Sequence, residues 1–205
     1  MEEHMVKCIK FLMLLAVLAS LACLAAPITD NLHYMGYPAG LTDGSYYVGL
    51  AKGDLANDGL GPFPMWCVDP THRISKNDWD VAIRPLTPSG IAGNSMGYTL
   101  LELQTMAVLG SGFDNMNPND KMLQHAIWSI ADGRSLTAGE QTLLTTAQAL
   151  VSTFNFNGFV VLDPLECGGQ MMMTRVAAPV PEPGTLALAG LGLMAVAFLS
   201  RRTRT

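Results

Sequence analysis

Two short strings hold the side chains best suited to chemistry, Trp66-Cys67-Val68-Asp69 and Leu123-Gln124-His125-Ala126-Ile127-Trp128. A cysteine sulfur held against a glutamine carboxamide can attack its carbonyl carbon and expel ammonia, which leaves an internal thioester. The reaction needs a nucleophilic sulfur, a fixed geometry and exclusion of water. Gln124 falls at the edge of an apolar helical stripe, between Ala131 and Trp128, where its carboxamide can be partly buried beside an indole. His125 points to the polar side with Ser129 and Asp132. Trp66 and Trp128 would supply the dry wall. The product is a stored electrophile that an amine on a partner opens to form an isopeptide bond. The alternative is that Gln124 solvates a helix edge and Trp128 is ordinary core.

Other uses of the same residues remain open. Cys67 and Cys167 are the cysteines left once the N-terminal segment is removed. In an oxidising compartment they would form one disulfide, stabilising by roughly 4–5 kcal/mol in the chain-entropy treatment. Cys67 could also serve a cysteine hydrolase with His72 or His125 as base. No oxyanion motif accompanies it, so the expectation is a protein that is not an enzyme. Cys67, Cys167 and the scattered His33, His72 and His125 show no metal-ligand spacing, and Asp54 and Asp58 read as a solvated turn. No cofactor or metal is expected.

The elements that must position these residues follow from pattern and punctuation. Ser45–Leu50, Phe63–Val68 and Trp79–Leu86 read as strands. Tyr98–Leu109 reads as a helix that stops at Gly110. Asn119–Asp132 is the strongest helix, with Asn119 as cap, Gly133 past its end and Leu123, Ala126, Ile127, Ile130 and Ala131 on one face. Thr137-Ala138-Gly139-Glu140 is a capping box. It opens a third helix expected to face Leu143, Leu144, Ala147, Leu150 and Val151 inward. Strands return at Gly158–Leu162 and Met171–Val176. The expected fold is α+β, a single exported domain with a β-rich core and a helical insert.

The two ends say where the chain works. Lys7 and Lys10, the apolar run Phe11–Leu24 and the small residues Ala25 and Ala26 form a signal peptide over residues 1–26, with cleavage after Ala25. That predicts passage through the Sec machinery. Residues 27–178 are the exported domain. They hold 11 Asp and 3 Glu against 3 Lys and 4 Arg, a net charge of −7. Such a domain is a poor partner for nucleic acid. Residues 179–205 form a tail in three parts. Pro181, Glu182 and Pro183 are extended, Leu186–Leu199 is an apolar transmembrane helix, and Arg201, Arg202 and Arg204 would stay cytoplasmic.

This tail resembles the PEP-CTERM sorting signal of Gram-negative bacteria. The resemblance implies recognition of Pro181-Glu182-Pro183 by an exosortase in the inner membrane. It also implies transient anchoring, then removal of the tail and delivery to the cell surface or extracellular matrix, in a setting of biofilm and exopolysaccharide. The central strings resemble the thioester domains of bacterial surface adhesins, which pair an aromatic-Cys-aliphatic motif with a Gln-x-Ala-aliphatic-Trp helix. That resemblance implies Cys67 as thiol partner, Gln124 as acyl partner and Trp128 as packing, with a surface protein or polysaccharide as ligand. Cys167-Gly168-Gly169-Gln170 is similar to the Cys-Gly-Glu-Gln loop of complement-type thioester proteins, but Gly169 stands in place of Glu. It reads as a Gly-Gly turn before the last strand.

Overall fold

The computed structural model describes residues 28–176 apart from 39, 40, 45, 58, 60 and 115–118. Among these residues eight strands and three helices follow in chain order: β1 (Ile28–Gly36), β2 (Thr42–Asp43), β3 (Tyr46–Tyr47), β4 (Ala51–Leu55), β5 (Phe63–Cys67), β6 (Asp78–Pro85), α1 (Leu100–Gly110), α2 (Asn119–Asp132), α3 (Ala138–Leu150), β7 (Phe159–Pro164) and β8 (Met172–Arg175). Six strands close into an antiparallel barrel in the order β1-β4-β5-β8-β7-β6, with β6 returning to β1. Closure removes the exposed sheet edges that a β-rich chain must otherwise protect. The hairpin β2–β3 forms its own small sheet. All three helices fall between β6 and β7, as the expected helical insert.

The barrel fills with large apolar side chains. Leu32 on β1 lies opposite Trp79 on β6, and both are fully buried with Met65, Leu162 and Met172. Gly53 on β4 makes room for this filling. A Cβ there would come within 2.7 Å of the Met65 methyl and 2.9 Å of Leu32.

The ends of α1 and α3 are fixed by the same device. Thr99 and Thr137 each accept from the backbone three residues on, and Glu102 and Glu140 each reach back to the cap. Gly110 ends α1 against the indole of Trp66. A Cβ at 110 would lie 2.1 Å from that ring. Gly110→Ala is therefore expected to destabilise the domain by about 1–3 kcal/mol through overpacking, despite alanine's better helix propensity. Urea unfolding checks the sign; a gain in stability would contradict the packing.

Several expectations need correction. The strand expected over Ser45–Leu50 shrinks to Tyr46–Tyr47, because Gly49 takes φ +93 before β4 begins at Ala51. Leu150, expected to face inward, is 45% exposed; α3 is held by Ala147, with Leu143, Leu144 and Val151 half-buried. Cys67 and Cys167 are not joined: the first is buried at the end of β5 and the second is exposed in the β7–β8 turn. The signal peptide and the transmembrane sorting helix fall outside the described residues. Among the described residues no helix is long and apolar enough to cross a membrane.

Candidate functional site, a buried cysteine and glutamine

Cys67 is the last residue of β5 and pairs in register with Met172 of β8. Its side chain is 1% exposed, and its thiol donates to the Asp69 backbone carbonyl at 3.1 Å. Burial pushes the thiol up to about 12, against the opposing pull of the Asp69 backbone amide and the Trp128 indole. Loss of water from around a thiolate costs more than these two dipoles return.

Gln124 sits mid-way along α2 and is completely buried. Its Nε2 donates to the backbone carbonyl of Cys67 at 2.7 Å. Its Oε1 is buried without a hydrogen-bond partner. A carboxamide offers two donors and two acceptor lone pairs. An orphaned buried acceptor costs about 1–3 kcal/mol, so Gln124 is a poor choice if its only task is to fill α2's inner face.

Trp128 lies one turn further along α2 and is 2% exposed. Its indole N–H makes no conventional hydrogen bond, yet it is close enough to the Cys67 sulfur to favour the ionised form. Tyr46 from the β2–β3 hairpin meets the Trp128 ring edge-on at 5.7 Å. The Arg134 guanidinium lies over it at 4.8 Å. Trp66 does not share this wall. It precedes Cys67 on the strand, so it points to the opposite face, and it packs on Gly110, Phe113 and Phe159.

His125 departs from the sequence reading. Both ring nitrogens face carboxylates, Nε2 to Asp43 at 2.5 Å and Nδ1 to Glu140 at 2.8 Å. Lys121 pairs with the same Asp43 and is the main reason its carboxyl is held below the usual range, with His125 assisting. Burial alone would raise Glu140, but the Thr137 backbone N–H and hydroxyl, together with His125, outweigh it and hold the group low. The hairpin, α2 and α3 are thereby tied together around Trp128. Asp43 lies 82 residues from His125 in sequence, so no local pattern announces the pairing. His72 is likewise engaged, through Nδ1 to Asp69 at 2.7 Å. Asp69 is 1% exposed and also accepts from the Thr71 amide and hydroxyl and the His72 amide. No group of three or more metal-ligating side chains occurs among the described residues.

Residues 179–202 match the family described as the PEP-CTERM protein-sorting motif. The motif implies an exported protein that an exosortase processes. No curated protein matches the chain. Among solved structures the chain is similar to the N-terminal thioester domain of a surface protein from Clostridium perfringens. The two share 11% identity, with a TM-score of 0.40 over 72% of this chain and 98% of that one. At that distance the likeness assigns no residue of this chain a role.

Proposed function

We propose that the domain stores an internal thioester between Cys67 and Gln124 and uses it to capture a nucleophile covalently at the cell surface or in the extracellular matrix. The observation that carries this reading is the fully buried Gln124, which donates to the Cys67 carbonyl while its own carbonyl oxygen stays unpartnered. In the acylation the Cys67 sulfur bonds to the Gln124 carbonyl carbon. The carbon–nitrogen bond breaks, and the thiol proton leaves with the nitrogen as ammonia. Two buried donors are lost with that nitrogen. An incoming amine reverses the sense of the step: its nitrogen bonds to the same carbon, and the sulfur departs with a proton. Cys67 and Gln124 are both shielded from water, so hydrolysis is slow and the electrophile persists.

A cysteine hydrolase needs a base at the sulfur. His72 and His125 are each committed to carboxylates instead. The sorting motif supports the setting. The chain would leave through the Sec machinery, be held briefly by the apolar tail, and be released by exosortase as an adhesin of a polysaccharide-rich matrix. Incubation with a biotinylated primary amine tests the capture step. Label is expected on Gln124 and is lost in Cys67→Ala. Equal labelling of Cys67→Ala would count against the reading.

A further inference from the structure

Cys167-Gly168-Gly169-Gln170 also bears on Cys67, through a different bond. Gly168 takes φ +97, and a Cβ on Gly169 would lie 2.4 Å from the Trp79 indole. These two glycines let the turn pass close over Trp79 and bring Gln170 to the segment that follows Cys67. Gln170 Nε2 donates to the Asp69 backbone carbonyl at 3.0 Å and also to the His72 carbonyl. The Asp69 carbonyl is the one that accepts the Cys67 thiol. Two donors therefore meet at one acceptor, and one of them is the proton that leaves when the sulfur is acylated.

We propose that Gln170 is a positioning residue for the Cys67–Gln124 thioester, and this rests on the thioester reading above. Gln170 fixes the turn from Asp69 to His72, so the carbonyl that orients the sulfur keeps its place. It also keeps that carbonyl hydrogen-bonded once the thiol proton has departed with ammonia. In the free-thiol state the carbonyl has two donors and can lose one. In the acylated state Gln170 is the donor that remains. Removing it penalises the acylated state more than the thiol state, because a buried carbonyl without a donor is costly.

The test compares wild type with Gln170→Met, which keeps the length and removes the donor. Intact mass gives the fraction of protein short by one ammonia at increasing methylamine. The methylamine concentration that half-opens the thioester is expected to fall about tenfold in Gln170→Met. An unchanged midpoint overturns the proposal. Should Gln170→Met fail to fold, Gln170→Asn, which withdraws the donor by one methylene, reads the same midpoint. A second arm does not need the thioester. The effect of Gln170→Met on the unfolding equilibrium is measured with Cys67 as free thiol and in Cys67→Ala, where the thiol donor is missing. The effect is expected to be about tenfold larger in Cys67→Ala. Equal effects in the two backgrounds mean that Gln170 is a turn residue alone and sink the proposal. Wild type at full mass would overturn the thioester reading, and the second arm would still decide whether Gln170 and the Cys67 thiol share the Asp69 carbonyl.

Discussion

Asp163→Ala is expected to lower the stability of the domain by about 3–5 kcal/mol, because it strips a buried cation of its partner. Asp163 on β7 is 2% exposed and Arg84 on β6 is 9% exposed. Their side chains meet at 2.5 Å. The rest of the guanidinium donates to the backbone carbonyls of Gly90, Ala92 and Gly93, while Asp163 also accepts from the Ser95 amide and hydroxyl. One ion pair thus ties the connection between β6 and α1 to the barrel wall. Truncating Asp163 leaves a desolvated charge and two freed donors on Ser95. Denaturant unfolding measures the loss. A double variant, Arg84→Met with Asp163→Leu, is expected to recover much of it, since an apolar pair carries no desolvation cost. A loss below about 1 kcal/mol in Asp163→Ala would mean that water reaches the pair and screens it.

The second large effect is alkaline and belongs to the free-thiol state. The Cys67 thiol titrates at about 12 in the folded domain against 9.0 unfolded. The folded state holds this proton more tightly. The associated stability is complete below pH 9, declines as pH rises above it, and is gone once pH passes the folded value. Each unit is worth 1.36 kcal/mol. By pH 11 a domain with its thioester opened by methylamine should therefore have lost about 3 kcal/mol more than Cys67→Ala. Tyr34, raised to about 12 mainly by burial, and Tyr37, raised for the same reason, add a decline in both proteins that is smaller in Cys67→Ala, because the Cys67 charge is the next cause of each shift. Unfolding midpoints at pH 8 and pH 11 check the difference. Equal declines would show that the Cys67 thiol is hydrated in the folded domain. The acylated sulfur has no proton to lose, so it makes no such contribution.

How much of this was legible in the sequence depends on how local each signal is. α2 runs from Asn119 to Asp132 as its stripe and flanking residues predict, and α3 starts behind the Thr137–Glu140 box. β5 and β6 also lie where their apolar content places them. β1 gives no strand signal because its pattern is polar, with Asp30, Asn31 and His33 among its nine residues. Asp30 is accommodated by the amide and side chain of Asn57, 27 residues away. Within the candidate site, the helical wheel put Gln124 at the stripe's edge, whereas the structure buries it completely. The extra burial comes from β5, whose Cys67 carbonyl receives the carboxamide. His125 differs from its wheel position for the same kind of reason. Its wheel position is polar, but Asp43 on the hairpin and Glu140 on α3 enclose it. Partners brought by tertiary packing leave no periodicity to read.

The central claim is a covalent bond, so intact mass tests it most directly. The segment 27–178 is purified without reductant and weighed whole. The account predicts a mass short by one ammonia, restored to full mass in Cys67→Ala and in Gln124→Ala once each substitution is allowed for, and raised by methylamine. A full mass would contradict it, and so would a deficit of two hydrogens that reductant reverses, which would join Cys67 to Cys167 instead.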